Sequence, residues 1–126
     1  MIEVILGIIK DELKKIDVPY EFMRWTSSVE DRYWIGEYSE SVTDTEDGYE
    51  ESTLILTGTT RQLWSVLMQD RAKIKDHFPK EGGLRISTDN GVVVIFYENS
   101  FPVPTGEADL KRIQVNLQIK SWKGMN

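Results

Sequence analysis

The side chains best suited to chemistry crowd into one stretch. Positions 37–51 read EYSESVTDTEDGYEE, with seven carboxylates, no basic residue and one glycine, Gly48. Oxygen ligands at this density would suit a hard cation. A calcium loop, however, needs ligands at alternate positions, glycine at the sixth and a bidentate Glu at the twelfth, held between two helices. In the run Asp44, Glu46, Asp47, Gly48 the glycine comes too early, and the flanks alternate as strands do. Two carboxylates facing each other across a cleft could hydrolyse a glycosidic bond, but these share one loop. A solvated hairpin whose charges discourage edge pairing accounts for the same residues.

Other chemistry is thinner. The order helix, three strands, helix, strand also occurs in restriction-type nucleases. That chemistry needs an Asp and a Glu-x-Lys or Gln-x-Lys on central strands, where the carboxylates hold Mg2+. The strand in the corresponding place reads Thr53-Leu54-Ile55-Leu56-Thr57, and the only matching triplet, Gln118-Ile119-Lys120, lies in a different strand. His77 stands alone near the end of a helical segment, where it can meet the helix dipole. Gly82-Gly83 lacks the Walker pattern and its lysine. With no cysteine there is no thiolate, disulfide or Cys-bound zinc. No catalytic residue, metal or cofactor is expected, and a binding or assembly module fits better than an enzyme.

These residues are carried by a chain of 126 residues with a net charge of −6, enough for one domain, 1–126, with its own core. The acidic balance argues against specific nucleic-acid binding through clustered Lys and Arg. The apolar N-terminus is interrupted by Glu3 and has no basic lead or cleavage site, so it reads as mature sequence. The longest apolar run, 92–97, is too short for a membrane helix, and no membrane partner is expected.

The elements follow from periodicity. Ile2, Ile5, Leu6, Ile9, Leu13 and Ile16 recur at helical spacing opposite Lys10, Asp11, Lys14 and Lys15, predicting a helix that ends before Pro19. A second helix is predicted from Leu63, Trp64, Leu67, Met68, Ile74 and Phe78, capped by Thr59 or Thr60 and stopped by Pro79. Period-two segments predict strands over 19–25, 33–41, 50–59, 84–88 and 92–98 and in the final LKRIQVNLQIKSW. Asp89, Asn90 and Gly91 suit a tight hairpin, since Asn-Gly favours positive φ. Trp25, Trp34 and Trp64 are expected in the core and Trp122 at a contact. The result is an α+β fold of order α-β-β-β-α-β-β-β, an antiparallel or mixed sheet with two helices packed on one face. Residues near 39–51 are expected to form a mobile acidic hairpin.

DRYWIGEYSE, the acidic DTEDGYEESTLILTG, the Trp-containing helix after TTR and ENSFPVPTGEADLKRIQVNLQIK together resemble the tail terminator and head-to-tail joining proteins of long-tailed bacteriophages and prophages. The resemblance spans nearly the whole chain. It implies a non-enzymatic virion protein, made in the host cytoplasm, that rests at the head-proximal end of the tail. There it would cap the finished tail tube as a ring, commonly of six copies, with the tail tube protein and the head connector as partners. Free copies would be monomers, since early rings could cap unfinished tails. A head-completion adaptor is the nearest alternative; a small Mg2+-dependent nuclease or a phage regulator of a host protein are alternatives of other classes.

A closed ring needs one surface of each subunit to meet a different surface of the next. The candidate pairing sets the acidic residues Glu37, Glu40, Asp44, Glu46 and Asp47 against a basic face of Lys111, Arg112, Lys120 and Lys123, where opposite charge would guide encounter and register. The acidic segment could equally face the channel and repel DNA phosphates.

Overall fold

The computed structural model describes residues 2–28, 31–42 and 48–124, the side chains of 41 and 42 excepted. Along the chain come α1 (Ile2–Lys15), β1 (Tyr20–Phe22), β2 (Arg32–Val42), β3 (Glu50–Thr60), α2 (Trp64–His77), β4 (Leu84–Thr88), β5 (Gly91–Pro102) and β6 (Lys111–Lys123). This is the expected α+β order. The strands form one six-stranded sheet in the order β1-β2-β3-β6-β5-β4. β1 runs parallel to β2 and the other pairings are antiparallel, so the sheet is mixed.

The last strand sits at the centre. Alternation along β6 sends Ile113, Val115, Leu117 and Ile119 to one face, each at most 1% exposed. On that face they meet Leu54 and Leu56 of β3 and Ile95 and Tyr97 of β5. Ile5, Ile9 and Leu13 of α1, with Leu67 and Ile74 of α2 and the adjoining Phe78, close over them as one cluster. Full burial of one such aliphatic side chain stabilises by about 1.5–3 kcal/mol. The two helices therefore stay on one face of the sheet.

Several expectations are corrected. Leu63, Trp64 and Met68 are exposed by 73%, 40% and 36%, so the buried stripe of α2 is narrower than the sequence spacing implied. Leu63 is the N-cap residue, with no side-chain cap. Thr59 and Thr60 remain in β3, and the Thr60 hydroxyl donates to the Asp31 carbonyl. Of the three tryptophans expected in the core, Trp34 lies there fully buried, whereas Trp64 faces solvent and Trp25 is a half-buried loop residue packed on Tyr33. β1 is three residues long because Met23 turns at φ +71°. β5 runs on to Pro102 past a bulge between Tyr97 and Asn99. Its outer edge is unpaired by β4 there, a position that tolerates proline. The tight β4–β5 hairpin is present, with Thr88 paired to Gly91. Its positive φ falls on Gly91 at +147°, where a Cβ would lie 1.8 Å from the Trp122 carbonyl oxygen.

Candidate interaction surfaces

Two acidic side chains interrupt the buried helix stripes, and each is held by a basic partner. Asp70 follows Leu67 by three positions and precedes Ile74 by four, so α2 carries its carboxylate into the core, 1% exposed. A buried carboxylate without partners would be costly. Here the Arg32 Nε donates to Asp70 Oδ2 at 2.6 Å and the Trp34 indole N–H donates to the same oxygen at 2.8 Å. The hydrogen bond to Asp70 pushes the Arg32 guanidinium further above its ordinary value. Another Arg32 nitrogen donates to the Asp17 carbonyl at 3.1 Å, joining the end of α1 to the start of β2. Glu12 plays the equivalent part in α1, receiving Lys15 at 2.7 Å and pairing with His77 at 2.8 Å. His77 thus ends α2 as the sequence suggested, and it also ties the two helices together.

Among the described residues, no helix covers the opposite face of the sheet. Thr53, Gln114, Asn116 and Gln118 line it and are half-buried. Gln114 donates to Asn116 and Asn116 to Asn99 at 3.0 and 2.8 Å, while Thr53 donates to Gln118 and Gln118 to Glu51 at 3.2 and 3.3 Å. These amides restrain one another and leave a flat polar surface. At one end, Tyr49 packs on Trp122 with ring centroids 5.1 Å apart. The Lys120 ammonium lies 5.2 Å from the Tyr49 ring and 5.7 Å from that of Phe96. Trp122, expected at a contact, is half-buried in this cluster.

The structure does not gather the proposed basic residues into one face. Alternation along β6 puts Arg112 and Lys120 on the open face, eight residues apart, and Lys111 and Lys123 on the other parity at opposite ends of the strand. Arg112 donates to Thr59 at 3.3 Å, and the Lys111 ammonium to the Asp109 carbonyl at 3.3 Å. Lys123 lies 3.5 Å from Glu50 of the same chain, so part of the supposed complementarity is internal. Glu37 and Glu40 are exposed on β2, on opposite parities. Asp44, Glu46 and Asp47 lie outside the described residues with the rest of 43–47, whereas 39–42 and 50–51 of the expected hairpin belong to the strands β2 and β3. Among those described, no three acidic or histidine side chains are placed to hold a metal ion, and no helix is long and apolar enough to cross a membrane.

One surface that sequence reasoning missed is a cleft of about 510 Å3 between the outer side of α1, β1 and the loop leading to β2. Lys10, Lys14, Tyr20, Trp25, Ser27 and Arg32 line it. The Tyr20 hydroxyl and the Trp25 indole N–H are buried atoms with no hydrogen-bond partner among the described residues. Burial pushes the Tyr20 phenol up to about 12. Its ring lies over Gly36, where a Cβ would stand 2.6 Å from it. Glu21 shapes the far wall by accepting from the Thr26 hydroxyl and from the backbone N–H groups of Thr26 and Ser27. A hint was present in the sequence: Lys10 and Lys14 are four apart, on one side of α1. The partner loop carries no comparable signal.

The molecule is therefore an α+β protein whose mixed sheet is covered by helices on one face and presents hydrogen-bonded amides on the other. No family model and no curated protein matches the chain. Among solved structures, it is similar to a chain in the virion of a native gene transfer agent particle, with a TM-score of 0.65 and 10% identity over 86% of this chain and 83% of that one. At that identity the likeness is one of fold.

Proposed function

We propose that the chain is a virion assembly protein of a phage-like particle, which caps the finished tail tube as a ring and presents the surface that joins the head. The observation carrying this reading is the fold shared, across most of both chains, with a component of a gene transfer agent virion. The sequence resemblance to tail terminators supports the finer assignment. On this reading binding is the whole activity, with no cofactor and no catalytic step. Partners are other copies of the chain, in a ring commonly of six, together with the tail tube protein and the head connector. The open face of β3, β6 and β5 is suited to such contacts: its amides are already fixed by mutual hydrogen bonds, so docking there orders few side chains.

Electron microscopy of particles assembled without this chain tests the proposal. Overlong tails would mark loss of termination, and finished tails without heads would mark loss of joining. Heads that lose their contents while tails remain normal would instead favour the head-completion alternative. Normal particles would remove the reading altogether.

A further inference from the structure

We infer that the sheet continues from one copy of the chain to the next, β1 of one subunit pairing in parallel with β4 of a second. It rests on the proposed self-assembly and names its seam. β1 and β4 are the two edges of the sheet, each paired on one side only. The Trp34 N–H donates to the Pro19 carbonyl and the Met23 N–H to the Gly36 carbonyl, so residues 19, 21 and 23 face β2. The backbone groups of Tyr20 and Phe22 therefore point outward, as the free edge of a sheet does. Of these, the Phe22 carbonyl accepts from the Arg24 N–H, and the others meet no backbone partner among the described residues. A cleft of about 540 Å3, lined in part by Leu6, Gly7, Tyr20 and Phe22, runs along this edge and leaves it open.

Strand direction and side-chain chemistry select the partner edge. β1 is parallel to β2 and four antiparallel pairings follow, so β4 runs the same way as β1. Rotation about an axis along the strands therefore sets β4 of one copy beside β1 of the next in parallel, with both copies' helices on one face. Such a contact joins unlike surfaces and closes into a ring if the rotation permits. On the helix-covered face, Tyr20 and Phe22 align with Trp34 and Gly36, and Leu84 and Ile86 align with Ile95 and Val93. Tyr20, Leu84 and Ile86 are half-buried and Phe22 is 38% exposed. Tyr20 beside Leu84 and Phe22 beside Ile86 would cover all four. The same register sets Glu21 opposite Arg85 on the open face. Arg85 is exposed with no partner among the described residues, and Glu21 is bonded only by the neutral Thr26 and Ser27. Opposite charges there fix the register, whereas pairing of like edges would bring like charges together. Two other bases border the β1 edge. Lys10 belongs to α1 on the helix-covered side, away from Arg85, and Arg24 runs on towards Asp89 in the turn after β4.

The chain has no cysteine, so introduced thiols can report the seam. Five strand spacings separate β1 from β4, roughly 24 Å, too far for a disulfide within one subunit. A chain carrying both Phe22→Cys and Ile86→Cys is oxidised mildly, at high concentration in solution and in assembled particles, beside a control carrying Phe22→Cys and Ala108→Cys. The seam should give a ladder of linked copies, about tenfold or more above the control, through raised effective concentration. Adding Arg85→Glu should bring the yield down to that of the control, whereas Arg85→Lys should keep it. Control-level yields in both settings, or a ladder indifferent to Arg85→Glu, would overturn the inference. No ladder combined with overlong tails in the deletion would leave the virion function standing and reject only this seam. A ladder in solution combined with normal particles in the deletion would keep the seam and reject the virion function.

Discussion

Arg32 stands between two environments that treat polar groups in opposite ways. On its inner side, Asp70 is completely buried and accepts from both Arg32 and Trp34. On its outer side, a cleft holds a tyrosine hydroxyl and an indole N–H that no described residue satisfies. Both sites lie at the same end of β2. The inner site fixes the fold by joining α2, β2 and the end of α1; the outer site leaves two buried donors without an acceptor among the described residues. Burial alone does not separate structural from functional polar groups, but whether their hydrogen bonds are already made does.

Breaking the inner site should have the largest effect. Asp70→Ala strands Arg32 and the Trp34 indole, and loss of one partner of a buried pair costs about 3–5 kcal/mol. Asp70→Asn retains an acceptor and should cost less. Urea unfolding midpoints would measure both; equal losses would mean that a neutral acceptor recovers nothing and that the carboxylate charge carries the interaction.

A pair of glycines sharpens the contrast. A Cβ at Gly58 would stand 2.6 Å from the Trp34 ring, and one at Gly36 would stand 2.6 Å from Tyr20. Trp34 is pinned by Asp70, so Gly58→Ala should cost about 1–3 kcal/mol in overpacking. Tyr20 has no hydrogen bond among the described residues to pin its ring, so Gly36→Ala should cost less. The same unfolding measurement compares them, and a larger loss at Gly36 would contradict the idea that Tyr20 is the looser ring.

What was legible in the sequence follows the same division. Period-two alternation in β6 and helical spacing in α1 predicted the order, type and buried side of most elements, because burial of those residues is imposed locally by chain geometry. Trp64 and Trp25 misled because apolar type was taken for core position, whereas Trp64 begins α2 above the sheet and Trp25 lies on a loop. Asp70 and Glu12 could have been found, since an acid on an apolar stripe demands a cation nearby. Their partners Arg32 and His77 are 38 and 65 residues away, and no local pattern names them. The basic face failed for a simple reason: Lys111 and Arg112 are adjacent in a strand, and adjacent strand residues point to opposite sides.

Acid should weaken the interhelical tie selectively. Burial pushes the Glu12 carboxyl up, but hydrogen bonds from Lys15 and His77 outweigh this and leave it below its ordinary 4.5. A depressed folded value means that the stabilisation is fully present above the unfolded pKa and is lost as pH falls through the folded one. Glu12→Gln should therefore show a smaller fall in stability between pH 7 and pH 3 than the parent chain. An unchanged fall would assign the acid sensitivity to other carboxylates.

The smallest stability effect is expected at the outer site. Tyr20→Phe removes a hydroxyl that has no partner among the described residues, so the fold should keep its stability or gain up to about 1 kcal/mol, since an unsatisfied buried group is itself a cost. Alkaline pH gives an independent signature. Because burial raises the Tyr20 phenol from 10.0 to about 12, the unfolded chain loses this proton first, and stability contributed by the neutral phenol falls away as pH rises between those values. The phenylalanine variant has no proton to lose at this position and should decline less over the same interval. A variant that folds as well as the parent would separate the outer site from the inner one; substantial unfolding of Tyr20→Phe would show that the hydroxyl belongs to the fold after all.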